Sequence, residues 1–168
     1  MSKVAIVYWS GTGNTEAMAN YVAEGAKKAG AEVYVLTAPE FDASHMDEYE
    51  AVAFGCPSMG SEQLEEGEFE PMFAACESKL RDKRIALFGS YGWGDGEWMR
   101  NWEDVCRKDG AILVCDSVIC QEAPDDDAAN ACRNFGRGTG LTLFSCPASC
   151  FTWATEIWSM TMPCRGKR

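Results

Sequence analysis

The sequence predicts an α/β protein built on a doubly wound, five-stranded parallel sheet. Three observations lead to this fold class. Apolar, β-branched segments alternate five times with amphipathic ones, the pattern of strands joined by right-handed helical crossovers. The strand segments are almost continuously apolar, as expected for strands covered on both faces. A length of 168 residues suits one domain with a sizeable core.

The N-terminal part of the chain supplies three strands and one helix. Residues 3–9 (KVAIVYW) are apolar and β-branched, which indicates a buried strand. Residues 14–29 place apolar side chains on one helical face and two lysines in the last turn, and Gly30 follows as a helix end. Residues 31–37 predict the second strand, and residues 50–56, after a short polar connection, predict the third.

The alternation continues with three helices and two strands. Residues 70–80 indicate a helix with a proline in its first turn. Residues 84–90 predict the fourth strand, residues 97–108 the next helix and residues 111–120 (AILVCDSVIC) the fifth strand. Residues 124–135 open with a proline and three aspartates, which is typical of a helix N-terminus.

Ligands of such sheets bind beyond the carboxyl ends of the strands, where the strand order reverses. The loops that meet this edge follow strands one, three, four and five. They are residues 10–15, 57–68, 90–97 and 121–124. Because nearly all the unusual residues of the chain lie in these loops, we expect the functional site there.

Charge is distributed unevenly along the chain, which limits its partners. The net charge at pH 7 is −11, with −14 over residues 1–136 and +3 over residues 137–168. An acidic body disfavours nucleic acid and anionic membranes and favours a partner protein with a basic docking surface. No long apolar stretch and no secretory signal pattern occur, so a cytoplasmic protein without a membrane span is expected.

The nine cysteines form no recognisable metal or disulfide framework. Their spacing is irregular, no C-x-x-C pair occurs, and His45 is the only histidine. Structural zinc sites need closely spaced Cys and His pairs, so no metal is expected. We interpret most of the cysteines as reduced, buried side chains.

The loop 10–15 (SGTGNT) has the composition of an anion-binding turn that lacks a cation. Gly11 and Gly13 allow close backbone approach, and the loop opens a helix whose free N–H groups favour an anion. The lysine of a Walker loop and the third glycine of a dinucleotide fingerprint are both missing, so neither site is indicated. The side chains available for hydrogen bonds belong to Ser10, Thr12, Asn14 and Thr15.

Two further loops suit a flat ring. Residues 90–98 (SYGWGDGEW) interleave glycines with aromatic residues, and Trp93, on the loop, is a stacking surface. Trp98 lies on the following helix and is expected to pack in the core. Residues 57–68 (PSMGSEQLEEGE) include Met59, a polarizable contact for a ring face.

Three motifs together resemble the flavodoxins, in particular the short-chain type of anaerobes. They are YWSGTGNTEAMA, GCPSMGSEQLEEGEFEP and ALFGSYGWGDGEWMRNWE, in the order of the family. The resemblance covers residues 3–136, about four-fifths of the chain. It implies the strand order 2-1-3-4-5 and a noncovalent FMN. It also implies a low-potential one-electron carrier, without a substrate of its own, that shuttles electrons between oxidoreductases in place of a ferredoxin.

The resemblance also implies the residues that contact FMN. Met59 and Trp93 enclose the isoalloxazine ring, and the peptide joining Gly60 and Ser61 reorients on reduction so that its carbonyl accepts the new N5–H. These four residues tune the flavin potential, and Glu62 accepts the ring N3–H. Neutral groups of Ser10, Gly11, Thr12, Gly13, Asn14, Thr15 and Ser90 hold the 5′-phosphate. The other expected contacts are Ser58, Tyr91, Gly92, Gly94 and Gln121, with backbone contacts from residues 121–123.

The chain departs from the family pattern in one loop and at its C-terminus. Ser61 stands where other members carry Asp or Gly. Residues 136–140 (GRGTG) are expected to break the last helix, which in a flavodoxin of this size continues past Phe135. We therefore expect a flavin domain over residues 1–136 and an atypical, loosely packed tail over residues 137–168. The tail is either a fused targeting or docking segment, or the product of a shifted reading frame or another accident of the gene.

Other functions on this architecture are less favoured. An FMN-dependent NAD(P)H:quinone-type reductase is the main alternative, but no second nucleotide loop or arginine cluster accompanies residues 57–68. A flavodoxin-like phosphatase needs an arginine six positions after a cysteine, and none occurs. A response regulator needs an aspartate after the third strand, where Cys56 and Pro57 stand. The expected carrier is a monomer, and its expected partners are oxidoreductases with basic docking surfaces.

Overall fold

The computed structural model describes residues 1–141, which form one parallel sheet between two layers of helices. The strands are β1 (Lys3–Tyr8), β2 (Glu32–Thr37), β3 (Ala51–Gly55), β4 (Arg84–Tyr91), β5 (Ile112–Leu113) and β6 (Val118–Gln121). The helices are α1 (Asn14–Lys28), α2 (Phe69–Glu77), α3 (Glu97–Lys108) and α4 (Asp126–Leu141). The strand order β2-β1-β3-β4-β5, with β6 also paired to β4, confirms the predicted 2-1-3-4-5. Two short 3-10 helices, Ala38–Glu40 and Ala43–Glu48, fill the predicted polar connection.

Aromatic side chains build the core on both faces, because successive strand residues point to opposite sides of the sheet. On one face Phe54 of β3 contacts Phe73 of α2 edge-on, with ring centroids 5.2 Å apart. Trp102 of α3 packs against the same Phe73 at 5.4 Å. On the other face Phe88 of β4 packs against Phe135 of α4 at 6.0 Å. Helices α2 and α3 therefore cover one face, and α1 and α4 cover the other.

The predicted fifth strand, residues 111–120, is divided into β5 and β6. Leu113 pairs with Ile85 of β4, whereas Val118 pairs with Phe88. The edge strand therefore uses two more residues than its partner between these pairs, which is a bulge. The apolar run around it hides this interruption from a periodicity argument.

Helix α4 continues through the glycines that were expected to end it. The predicted break at residues 136–140 is wrong, since α4 runs through all of them. A Cβ on Gly136 would lie 2.0 Å from the carbonyl oxygen of Val22 in α1, and one on Gly25 would lie 2.0 Å from the carbonyl oxygen of Arg133 in α4. The two glycines thus let the backbones of α1 and α4 approach closely, and Gly136 is a packing residue rather than a helix end.

The described cysteines agree with their interpretation as buried thiols. The six that lie in residues 1–141 are free, five of them are buried, and Cys115 is half-buried. Burial raises the pKa of Cys56 to about 12 and that of Cys115 to about 11, which keeps both protonated at neutral pH. Within residues 1–141, no three His, Cys, Asp or Glu side chains are grouped so as to hold a metal, and no helix is long and apolar enough to cross a membrane. The expectations for the rest of the tail, with Cys146, Cys150 and Cys164, lie outside the described residues.

Candidate functional site

A cleft of about 520 Å³ lies at the carboxyl edge of the sheet, where the strand order reverses between β1 and β3. This volume is in the range of small-molecule sites. The lining residues are Trp9, Gly11, Thr12, Asn14, Pro57, Ser58, Met59, Ser90, Tyr91, Gly92, Glu122 and Ala123. Apart from Trp9, all belong to the four loops that were predicted to converge, so that prediction is confirmed.

The loop after β1 turns directly into α1, and its two glycines have different roles. Gly13 is the residue before the helix and has a φ of +90°, a left-handed conformation that favours glycine. Gly11 lies under the indole of Trp9, where a Cβ would be 3.0 Å from Cη2. The hydroxyl of Ser10 accepts a hydrogen bond from the N–H of Gly13 at 3.0 Å. Ser10 therefore shapes the loop, and its hydroxyl proton is left to donate.

The N-terminus of α1 offers hydrogen-bond donors to the cleft. The first N–H groups of a helix have no partner inside the helix, and no side chain at the N-cap position bonds to them here. Thr12 and Asn14, which flank this turn, line the cleft. No Lys, Arg or His is among the lining residues, so the positive potential at this end of the cleft comes from the helix dipole. The arrangement suits an anion held by neutral donors.

Thr15 and Ser90 lie beneath this turn and are 1% and 4% exposed. Their hydroxyl oxygens are 2.9 Å apart, so one hydroxyl donates to the other and a single O–H hydrogen remains for a ligand. Ser90 lines the cleft and Thr15 does not. Both were predicted to contact a phosphate, and the structure joins them as one donor that also ties β4 to α1.

The two predicted ring contacts lie at different depths. Met59 lines the cleft and is 39% exposed, whereas Trp93 is 63% exposed and is not among the lining residues. Trp98 is buried, and its indole N–H donates to the carbonyl oxygen of Cys56 at 3.3 Å. The assignment of Trp98 to the core is therefore confirmed.

A tight turn follows Met59. The N–H of Met59 donates to the carbonyl oxygen of Gln63 at 2.8 Å, and the N–H of Gln63 donates back at 2.9 Å. Gly60 and Glu62 both have positive φ, +50° and +52°. Gly60 borders a smaller neighbouring cavity rather than the main cleft. The turn is thus closed by its own backbone, with the strain of a left-handed conformation at a non-glycine residue, Glu62.

The side chains of Glu62 and Gln121 bond to protein groups. Glu62 Oε1 accepts hydrogen bonds from the backbone N–H groups of residues 95–97, at the start of α3. Gln121 Nε2 donates to the carbonyl oxygen of Gly92 at 3.2 Å. Glu122, with a φ of +57°, donates its N–H to the carbonyl oxygen of Tyr91 at 2.8 Å. The 92–96 loop, which includes Gly94, is therefore tied to both of its neighbours.

Trp9 is a site residue that the sequence reasoning missed. Its ring covers Gly11, lines the cleft, and donates its indole N–H to Oε2 of Glu68 at 2.9 Å. The available signal was an aromatic residue at the last position of a buried strand, directly before a glycine loop. Such a position faces the ligand edge of a parallel sheet rather than its core.

The acidic stretch after β3 is partly used inside the protein. Glu65 accepts hydrogen bonds from the N–H groups of Gly67, Glu68 and Phe69, at 2.7, 2.8 and 2.9 Å, and so caps the start of α2. Burial alone would raise the pKa of Glu65, but the backbone hydrogen bonds outweigh it and hold the pKa below its usual value. Glu66, in contrast, is exposed.

The chain matches the family model described as Flavodoxin over residues 6–136. A flavodoxin of Megasphaera elsdenii is 43% identical over 133 residues, which is 79% of this chain and 95% of the relative. A flavodoxin of Clostridium beijerinckii is 42% identical over 132 residues, with the same coverage of 79% and 95%. The solution structure of two-electron reduced Megasphaera elsdenii flavodoxin superposes with a TM-score of 0.76 and 42% identity, and the match covers 82% of this chain and 98% of that one.

Proposed function

The chain belongs to the flavodoxin family, and we propose that it is a low-potential one-electron carrier that replaces a ferredoxin between oxidoreductases. As a flavodoxin it binds FMN noncovalently, and it transfers electrons rather than transforming a substrate. The alternative of a reductase with its own nicotinamide site is not better supported, since both of these relatives are flavodoxins.

The observation that carries the proposal is a cleft that fits FMN and has no Lys, Arg or His among its lining residues. Its volume suits a ligand of this size, its one end is the uncapped N-terminus of α1, and Met59 offers an apolar contact beyond it. We assign the phosphate to the N–H groups of residues 11–15 with the side chains of Thr12 and Asn14, and to the remaining O–H of the Thr15–Ser90 pair.

Ring binding belongs to the loops on the other side of the cleft. We assign the two faces of the isoalloxazine to Met59 and Trp93, and the ring N3–H to Glu62. The exposure of Trp93 leaves its ring free to form such a contact. FMN supplies reversible one-electron chemistry when bound. The protein contributes a cleft whose lining residues include no Lys or Arg, because positive charge there would favour added negative charge on the flavin and raise its potential.

The phosphate assignment is tested by comparing FMN with riboflavin, which has the same ring without the phosphate. Fluorescence titration of the FMN-free chain should give much weaker binding of riboflavin. Equal affinities would remove the helix α1 site from the proposal. Stepwise reduction of the FMN-loaded chain, followed by visible absorption, should show two separable one-electron steps.

We also propose that each partner protein docks with a basic surface of its own against the acidic rim of the cleft. Glu65 and Glu68 are engaged in internal hydrogen bonds, so the carboxylates of the stretch that are left to a partner include Glu66 and Glu70, both exposed. Reduction of a basic acceptor protein by the reduced holoprotein should slow as ionic strength rises. The double variant Glu66→Gln with Glu70→Gln should flatten that dependence, and an unchanged slope would place docking elsewhere. The six cysteines within residues 1–141 are free and mostly buried, which suits a reducing cytoplasm, where we propose that the protein acts as a monomer.

A further inference from the structure

The carboxylate of Glu62 joins two loops that are far apart in sequence. Its Oε1 atom accepts hydrogen bonds from the backbone N–H groups of Asp95, Gly96 and Glu97, each at 3.2 Å. These three residues form the entry to α3, whose residue before the first turn is Gly96. Glu62 therefore caps a helix from a separate loop, where a carboxylate also interacts favourably with the helix dipole.

The loop that receives this carboxylate is shaped for it. Gly94 has a φ of +89°, and a Cβ there would lie 2.3 Å from Oε1 of Glu62. A residue other than glycine at this position would expel the carboxylate. Glu62 itself has a φ of +52°, an uncommon conformation for a residue with a long side chain. The strained end of the contact is Glu62, and its capping bonds compensate for that strain, whereas Gly94 adopts its positive φ without strain.

The two linked loops are the ones that we assign to the flavin ring. The turn closed by Met59 and Gln63 contains Glu62, and Trp93 lies directly before Gly94, against which the carboxylate packs. We propose that Glu62 is a positioning residue: its carboxylate fixes the loop of Met59 and the loop of Trp93 relative to each other before FMN binds. This inference rests on the proposed flavin site. Capping by Oε1 leaves the second oxygen, Oε2, for a ligand, so it is compatible with the assigned N3–H contact.

Preorganisation is the expected consequence of such a link. A loop that must be ordered when a ligand binds reduces the affinity by the entropy of ordering it. With the cap in place, that ordering is complete before the ring arrives. Removal of the carboxylate should therefore affect the 92–97 segment in the FMN-free protein, where no flavin contact exists.

Hydrogen exchange of the full chain tests this directly, with and without FMN. In Glu62→Ala, the amides of Asp95, Gly96 and Glu97 should exchange about 2- to 30-fold faster than in the parent, the range expected from loss of a helix cap. Glu62→Gln keeps an acceptor oxygen and should restore most of the protection. Glu66→Ala, an equal loss of charge in the same loop, is the matched control and should leave these amides unchanged.

Two results would overturn the proposal. One is an unchanged exchange rate at the three amides in FMN-free Glu62→Ala, or a change that Glu66→Ala reproduces. The other concerns the loss of FMN affinity caused by Glu62→Ala, measured in the parent and in a Trp93→Ala background. If Glu62 acts through the Trp93 loop, its removal must cost less affinity once the Trp93 ring is gone, so equal losses would contradict the proposal. Either result leaves the proposed function intact if the parent binds FMN. Failure of the parent to bind FMN would instead remove the proposed function, while the exchange data would still report on the cap.

Discussion

Replacement of Gly136 by alanine should destabilise the protein, although alanine is the better helix former. A Cβ at this position would lie 2.0 Å from the carbonyl oxygen of Val22 and 3.0 Å from the backbone nitrogen of Ala26. Both are backbone atoms of α1, so the two helices must move apart. Overpacking of this kind costs about 1–3 kcal/mol, and helix propensity returns about 0.5–1 kcal/mol. Because the overlap is with backbone atoms and is severe, the cost lies at the upper end of this range, about 2–3 kcal/mol, and we expect a net loss of about 1–2.5 kcal/mol in the free energy of unfolding.

Gly138, two positions further along α4 and on a different face of the helix, is the matched control. A Cβ there would meet Cys115 at 4.0 Å, which is ordinary van der Waals contact. Gly138→Ala should therefore gain about 0.5–1 kcal/mol from helix propensity alone. Urea denaturation of both variants, followed by far-ultraviolet circular dichroism at one fixed FMN concentration, measures the two free energies. Opposite signs are expected. A Gly136→Ala variant as stable as the parent would refute the close contact between α1 and α4.

Substitutions at three positions and one truncation test the remaining assignments. Trp93→Ala should weaken FMN binding about 10- to 100-fold in a fluorescence titration, because buried aromatic contact is lost; unchanged affinity would exclude stacking. Gly60→Ala should narrow the separation of the two midpoint potentials in a redox titration more than Gly60→Asn does, since asparagine tolerates a positive φ. Equal separations in the two variants would exclude a reorientation of the peptide between Gly60 and Ser61. Glu65→Gln should lower the free energy of unfolding at neutral pH, and the difference should shrink as the pH falls below 4.5, because the folded pKa of Glu65 lies under its ordinary 4.5 and its stabilisation is lost as the carboxylate is protonated; a difference that grows in acid would contradict the cap. Truncation after Gly140 should leave FMN affinity unchanged, and a large loss would make the tail part of the fold.

The fold was predictable because each strand is a nearly continuous apolar run bounded by turn residues. The bounds of β1, β2, β3 and β4 agree with the predicted segments to within one residue at each end. The bulge between β5 and β6 was not predictable, because apolar residues flank it on both sides and show no regular alternation that would reveal a shift in register; even the exposed positions Ile112 and Ile119 of this edge strand are apolar. Only the pairing of Leu113 and Val118 with β4 exposes the two additional residues.

Gly30 and Gly136 show that the role of a glycine depends on neighbours that are distant in the sequence. Gly30 follows α1 with a φ of +88° and ends the helix as predicted. Gly136 has the same lack of a side chain, yet α4 passes through it because α1 lies against it. Conformational freedom and close approach both select glycine, and the sequence does not distinguish them. The difference lies in a neighbouring helix more than 100 residues earlier in the chain, at Val22.

The site shows a similar division between residue type and residue role. Hydroxyl-rich and aromatic loops at the carboxyl edge were predicted, and they do converge on the cleft. The bonding of individual side chains was not predicted: Ser10 bonds its own loop, and Thr15 bonds Ser90. Small polar side chains choose among several nearby donors and acceptors, so their partners depend on tertiary geometry.

The carboxylates around the cleft fall into two groups: some stabilise the start of a helix, and others are exposed and are proposed to contact a partner. A net charge of −14 over residues 1–136 suggests a surface that is negative throughout. However, the carboxylates of Glu62 and Glu65 each accept hydrogen bonds from three backbone N–H groups at the start of a helix. A carboxylate that accepts backbone hydrogen bonds at a helix N-terminus has part of its charge compensated by the helix dipole, so it attracts a basic partner less than an exposed one. Glu66 directly follows Glu65 in the sequence and is exposed. The same stretch can therefore join the loops that we propose for ring binding and also present charge at the proposed docking surface, because the two tasks fall to different glutamates.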